Sequence, residues 1–111
     1  MARTLLRLML VRAGFEVVEA EDGYDALDKL KEGEPDVMIL DVMMPGIDGF
    51  HVCETVRATP NTSDLPIIML SAKTDLASVN KGLGLGANKY LTKPISPEEL
   101  TRQVRDCLLY T

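Results

Sequence analysis

The sequence has few of the residues on which several classes of protein depend. Its 111 residues include no tryptophan, one histidine and two cysteines. Cys53 and Cys107 form no CxxC pair and have no histidine at ligand spacing, which argues against a zinc or dithiol motif. We predict that both pack in the interior of a protein in a reducing cytosol. His51 has no partners for a Ser/His/Asp arrangement and lies in a helical pattern, so we expect it on a helix surface.

Long apolar runs are also missing, and no stretch approaches the roughly 18 residues of a membrane span. Residues 1–15 are rich in arginine and contain no acidic residue before position 16, a composition shared with transit peptides. Arg7 and Arg12 interrupt the apolar pattern, so no secretory core is present. An ordinary amphipathic helix is therefore the better interpretation.

The balance of charge argues against nucleic acid as a direct partner. Seventeen acidic and twelve basic residues give a net charge of −5, which repels phosphate backbones and anionic lipid surfaces. With 46% hydrophobic and 26% charged residues, the chain has the composition of a folded globular protein. Its length predicts one unit over residues 1–111, without linker, repeat or low-complexity segment.

The hydrophobic pattern alternates between helical and strand periods. Helices are predicted where apolar residues recur three or four positions apart, and Ser96 with Glu99 forms a capping-box pattern before the last one. Strands are predicted where short apolar or alternating runs occur. The helices cover residues 2–13, 23–31, 50–56, 75–83 and 97–108, and the strands cover 15–20, 37–40, 66–70 and 89–92. This order predicts an α/β fold with a doubly wound parallel sheet.

Function in such folds gathers at the carboxyl ends of the strands. Asp41, Ser71 and Lys93 each follow a predicted strand, so we expect them on one edge of the sheet. A carboxylate nucleophile with a hydroxyl and an ammonium beside it suits a phosphoryl group. Each residue alone has a plainer interpretation: Asp41 as a turn residue, Ser71 as a cap and Lys93 as a surface charge.

Three segments resemble the receiver domain of bacterial two-component response regulators: LDVMMPGIDG at 40–49, MLSAK at 69–73 and YLTKPI at 90–95. The resemblance extends over nearly the whole chain. It implies a flavodoxin-like, doubly wound parallel sheet of five strands in the order 2-1-3-4-5.

The resemblance also implies a phosphorelay function without independent enzyme activity. Asp41 would take a phosphoryl group from a sensor histidine kinase or acetyl phosphate in the cytoplasm, forming an aspartyl phosphate. Ser71 would hydrogen-bond this group and Lys93 would neutralise it, while the small Ala72 leaves it accessible. Tyr90 matches the aromatic switch residue that turns inward with Ser71 and changes the face presented to a downstream output protein or domain.

The sequence departs from the family at its start, because receivers begin with a strand that ends in two or three acidic residues. The first predicted helix here corresponds to the family's first helix, so residues 1–111 are expected to be an N-terminally truncated receiver domain. The missing strand would leave a slot about 10 Å wide. We expect closure of the sheet to the order 2-3-4-5, or a strand supplied by another copy in a homodimer; alternatively, the chain is a fragment or a late start.

The same departure affects Mg²⁺, the cofactor that the family implies. Only the Asp41 carboxylate and the backbone carbonyl of Met43 remain at matching positions, and Mg²⁺ prefers more oxygen ligands. Weak Mg²⁺ binding is therefore expected. Glu21 and Asp22 are substitutes only if the sheet closes, and Asp22 is also a good helix cap.

Other functions remain in view beside the phosphoacceptor. A pseudo-receiver that binds proteins without phosphorylation fits the missing acidic residues. A flavin-binding flavodoxin or a phosphohydrolase fits less well, because no phosphate loop and no D-x-D pair are present. The glycines at 82, 84 and 86 have the wrong spacing for a nucleotide loop and predict a soft helix.

Overall fold

From residue 23 onward, helices and strands alternate along the chain as the hydrophobic pattern predicts. The computed structural model describes residues 3–42 and 47–109. Its elements are α1 (Arg3–Arg12), α2 (Gly23–Glu32), β1 (Met38–Asp41), α3 (Gly49–Ala58), a 3₁₀ turn (Pro60–Thr62), β2 (Ile67–Ser71), α4 (Leu76–Gly84), β3 (Lys89–Thr92) and α5 (Pro97–Leu109).

The described strands form one parallel sheet in the order β1-β2-β3. Met38 lies opposite Ile67, and Ile68 lies opposite Lys89. All five residues of the central strand β2 are buried, because the sheet has helices on both faces. Parallel pairing requires crossover connections, and the intervening helices provide them.

Two apolar clusters lie on opposite faces of the sheet. Ile67 and Met69 of β2 contribute to one cluster and Ile68 to the other, as the period of a strand requires. The α3 side contains Leu40, Val52, Cys53, Val56 and Met69, and the α1 and α5 side contains Met9, Leu10, Ile68, Leu100, Val104 and Cys107. This arrangement confirms the predicted doubly wound α/β fold.

Both cysteines are buried and unpaired, in agreement with the prediction that they are packing residues. Burial raises the pKa of the Cys53 and Cys107 thiols above its ordinary value. His51 lies exposed on α3, also as predicted.

Aspartate side chains begin three of the helices. The carboxylates of Asp22, Asp48 and Asp75 each accept a hydrogen bond from the backbone N–H three residues later. The bond from the Ser78 N–H lowers the pKa of Asp75. After α1, Gly14 has φ +95°, which permits the turn that ends that helix.

The capping box predicted before α5 forms only in part. Ser96 Oγ accepts the Glu99 N–H at 3.1 Å. The Glu99 carboxylate instead binds the side chains of Arg102 and Gln103 along the helix. These cationic and amide donors compete with the backbone N–H of Ser96, so the reciprocal bond is replaced.

The prediction of a strand at residues 15–20 is wrong, because the structure has no strand there. Phe15 and Val17 pack against the cluster beside α1 and α5, whereas Val18 is 81% exposed. The predicted alternation is therefore present, but a strand also needs a neighbour with which to exchange backbone hydrogen bonds. β1 is the edge strand of the described sheet, so the expected closure to the order 2-3-4-5 is wrong. A strand from another copy stays a prediction.

Membrane-spanning helices are absent from residues 3–42 and 47–109: none of the helices there has the length and apolar content to cross a bilayer.

Arg57 of α3 joins the segments that lead into β2 and β3. Its guanidinium donates to the carbonyls of Gly86 at 2.8 and 3.0 Å, Leu65 at 2.6 Å and Ser63 at 3.2 Å. It also binds Asn88 Oδ1, which accepts the Ile67 N–H. One side chain thereby fixes the entry of two neighbouring strands.

We predict that Arg57→Lys lowers the free energy of unfolding by about 1–3 kcal/mol, because an ammonium cannot reach acceptors on several segments at once. Urea denaturation measures the change. The control Arg102→Lys alters an exposed pair within α5 and should leave the free energy of unfolding almost unchanged. An equal loss in the two variants would contradict the bridging role of Arg57.

Candidate functional site

Asp41 and Lys93 meet at the carboxyl edge of the sheet. Lys93 Nζ donates to Asp41 Oδ2 at 2.6 Å, although the two residues are 52 positions apart in the chain. The Lys93 side chain is 15% exposed and the Asp41 side chain 34% exposed. A charge-assisted bond of this length in a half-buried place is a strong one. The structure therefore brings together two of the three residues singled out by their positions after strands.

The register of the sheet explains this meeting and places Ser71 between them. Asp41 is the last residue of β1 and lies opposite Leu70, while Ser71 is the last residue of β2. The Lys93 N–H donates to the Ser71 carbonyl at 2.8 Å. All three residues therefore lie at the ends of neighbouring strands, on the same edge of the sheet.

Ser71 is fully buried, and its hydroxyl oxygen accepts the Lys73 N–H at 3.0 Å. This bond closes the turn after β2, so the plainer interpretation of Ser71 as a cap also describes what it does here. A hydroxyl group that accepts in this way still carries its own proton to donate. Ala72, the next residue, is exposed.

Tyr90, the predicted switch residue, is half-buried on β3. Its hydroxyl donates to the Lys73 carbonyl at 2.9 Å. Lys73 is therefore bound twice, through its N–H by Ser71 and through its carbonyl by Tyr90. Sequence reasoning missed this function of Lys73, which stands in the MLSAK segment but contributes backbone atoms that no residue pattern reveals.

Gly49, at the start of α3, is a second residue that the sequence analysis missed. Its N–H donates to the Val42 carbonyl at 3.0 Å. A Cβ at this position would overlap the backbone carbonyl oxygen of Asp41 and would lie 2.8 Å from Val42 Cα. The helix start therefore rests directly on the backbone of Asp41, and the second glycine of the segment MPGIDG was the available signal.

The described residues do not fit a Mg²⁺ site. Residues 3–42 and 47–109 contain no group of three acidic, histidine or cysteine side chains that could hold a metal ion. Asp22 Oδ1 caps α2 by accepting the Asp25 N–H at 2.8 Å. The Glu21 N–H donates to the Asp25 carboxylate, and the Met43 carbonyl lies outside the described residues. The suggested substitution of Glu21 and Asp22 for the missing ligands required closure of the sheet, which the structure does not have.

Sequence similarity to known proteins extends over almost the whole chain. The model of the response regulator receiver domain family matches residues 1–105. The chain belongs to this family. Receiver domains are signalling modules, and the role of this family is that of phosphoacceptor in two-component signalling.

Relatives of this receiver domain include a longer transcriptional regulator. The transcriptional regulatory protein AfsQ1 of Streptomyces coelicolor is 45% identical over 106 residues, which are 96% of this chain and 46% of that protein. The chain spans less than half the length of the curated relatives it matches.

Solved structures share the receiver fold. The chemotaxis protein CheY4 of Vibrio cholerae has a TM-score of 0.90 at 36% identity, with 96% of this chain and 88% of that chain covered. The receiver domain of the sensor histidine kinase PA1611 from Pseudomonas aeruginosa has a TM-score of 0.88 at 29% identity, with 96% and 87% covered, and contains a magnesium ion in its active site cleft. The flavodoxin-like fold implied by the resemblance is confirmed.

We predict that Gly49→Ala lowers the free energy of unfolding by about 1–3 kcal/mol, because the added methyl group meets backbone that cannot yield. The control Gly84→Ala adds the same group to α4, where it contacts no neighbouring side chain or segment within 4 Å, and should stabilise the protein by up to about 1 kcal/mol. Urea denaturation of both variants measures the difference. A Gly49→Ala protein as stable as the unsubstituted one would contradict the close contact with Asp41.

Proposed function

We propose that Asp41 is the phosphoacceptor of this receiver domain and that a sensor histidine kinase, or a small donor such as acetyl phosphate, supplies the phosphoryl group. The observation that carries this proposal is the 2.6 Å contact between Lys93 Nζ and Asp41 Oδ2 at the carboxyl edge of the sheet. A positively charged group beside a carboxylate nucleophile is suited to a reaction that brings the negatively charged oxygens of a phosphoryl group to that carboxylate.

In the proposed transfer, a carboxylate oxygen of Asp41 attacks the phosphorus atom of the donor. The new P–O bond forms as the P–N bond to the kinase histidine breaks, and the imidazole leaves with the electron pair. With acetyl phosphate, the broken bond is the P–O bond to the acetyl group and acetate leaves. The aspartyl phosphate that forms carries the phosphoryl oxygens close to Lys93 and Ser71.

Two side chains then bind the transferred group. The Lys93 ammonium neutralises part of its charge, and the Ser71 hydroxyl donates a hydrogen bond to one of its oxygens. The phosphoryl group carries about 1.5 to 2 negative charges at neutral pH, in place of the single charge of the Asp41 carboxylate. The Ser71 hydroxyl also accepts the Lys73 N–H, and Tyr90 binds the Lys73 carbonyl. Movement of the Ser71 side chain toward the phosphoryl group would therefore move the turn that contains Lys73. This turn would therefore change the output surface on phosphorylation. A downstream protein or domain in the cytoplasm would bind the changed surface.

The second candidate function is protein binding without phosphorylation. It is favoured by the absence of a Mg²⁺ ligand set among residues 3–42 and 47–109. In this alternative the ion pair of Asp41 and Lys93 is purely structural, and the surface that the partner recognises does not respond to phosphoryl donors.

We predict that incubation with acetyl phosphate and Mg²⁺ adds the mass of one phosphoryl group, detected by intact-protein mass spectrometry. Asp41→Asn should abolish the gain, because an amide oxygen is a far poorer nucleophile than a carboxylate. Asp36→Asn, an exposed aspartate just before β1, is the matched control and should leave the gain unchanged.

The alternatives give different results in the same experiment. A folded protein that gains no mass, from acetyl phosphate or from a phosphorylated histidine kinase, supports the binding module. A gain that survives Asp41→Asn places the phosphoryl group elsewhere and contradicts the assignment of Asp41.

A further inference from the structure

We propose that Gly82 of α4 is a positioning residue: the absence of a side chain there fixes the orientation of the Tyr90 ring and, through it, the turn that follows Ser71. The orientation of the ring is a property of the unmodified protein. Only its consequence for signalling rests on the proposed function of Asp41.

The three glycines at the end of α4 have different surroundings. A Cβ at Gly82 would lie 2.8 and 3.2 Å from two carbons of the Tyr90 ring and 2.7 Å from the sulfur of Met69. At Gly84 a Cβ would meet nothing within 4 Å. Gly86 has φ +109°, a conformation that L side chains rarely adopt. Gly82 alone therefore makes room for a neighbouring aromatic ring.

The surroundings of Gly82 decide which neighbour yields to a side chain. Met69 lies on the central strand β2, is 0% exposed and is enclosed by the cluster on the α3 side of the sheet. Tyr90 only packs against the rim of that cluster and has solvent on its other side. Because closely packed interiors resist displacement, we expect the ring of Tyr90 to move and Met69 to stay.

Movement of the ring reaches the site through one residue. The Tyr90 hydroxyl bond to the Lys73 carbonyl measures 2.9 Å, and the Lys73 N–H bond to Ser71 Oγ measures 3.0 Å. Displacement of the ring lengthens or misaligns the bond from its hydroxyl to that carbonyl. Gly82 therefore keeps Lys73 bound on both sides, and with it the hydroxyl that we assign to the phosphoryl group.

The test uses fluorine NMR of protein labelled with 3-fluorotyrosine. The sequence contains three tyrosines, at positions 24, 90 and 110, and Tyr90→Phe identifies the resonance of Tyr90. Gly82→Ala should shift this resonance and leave that of Tyr24 in place. Gly84→Ala, the matched control in the same helix, should shift neither. An unmoved Tyr90 resonance in folded Gly82→Ala protein, or an equal shift in the control, would overturn the proposal.

A second variant covers the case in which Gly82→Ala does not fold. Tyr90→Ala removes the ring, so Gly82→Ala in that background should fold as well as Tyr90→Ala alone. Loss of folding in the double variant as well would show that the ring is not what Gly82 accommodates, and would overturn the proposal.

The consequence for signalling is measured after treatment with acetyl phosphate and Mg²⁺. The Tyr90 resonance of the unsubstituted protein should move on phosphorylation, whereas that of Gly82→Ala should move less, because the ring is already displaced. If no phosphoryl group is gained, the proposed function fails but the shift in the unmodified Gly82→Ala protein still stands. A full response in phosphorylated Gly82→Ala would overturn the link between Gly82 and the site.

Discussion

The contact between Lys93 and Asp41 depends on parallel strands that end together. Asp41 closes β1, Ser71 closes β2, and Lys93 comes directly after β3, so one register determines the positions of all three. The buried strand β2 holds that register from the middle of the sheet, with apolar clusters on both sides. A shift of one residue in either pairing would separate the ammonium from the carboxylate and turn buried side chains toward the wrong face. The contact between Lys93 and Asp41 therefore depends on the packing of the core around β2.

Close backbone contacts around the site also fix its geometry. Gly49 lets the start of α3 rest on the Asp41 carbonyl, and Lys73 is bound through both its N–H and its carbonyl. These contacts involve main-chain atoms, so the functional side chains stand on segments whose backbone is fixed. A hydroxyl and a carboxylate held in this way lose little freedom when a ligand arrives, which favours binding.

The sequence predicts those parts of the structure that depend on local pattern. The Asp22 cap, the helical spacing and the apolar strand β2 could be predicted, because neighbouring residues determine them. The segment 15–20 has the right alternation but no strand, since hydrogen bonding to a neighbour is a long-range property. Glu99 has the right position for a capping box, yet nearby donors take its carboxylate.

At the site, the sequence located Asp41, Ser71 and Lys93 because all three follow apolar runs and because the surrounding segments resemble a known family. The contributions of Gly49 and Lys73 were missed, because they come from backbone contacts across the fold. The sequence also did not distinguish Gly82 from Gly84, since two glycines two positions apart differ only in what lies opposite them. Side-chain type is visible in a sequence, whereas the space around a residue is not.

The burial of both cysteines has a practical consequence for studying motion in this protein. Maleimides and disulfides react with the thiolate, and burial raises the pKa of Cys53 and Cys107 and covers their sulfur atoms. A new cysteine on an exposed helix would therefore be much the most reactive thiol of the chain. Spectroscopic probes can then be attached at one chosen place, with the native interior left intact.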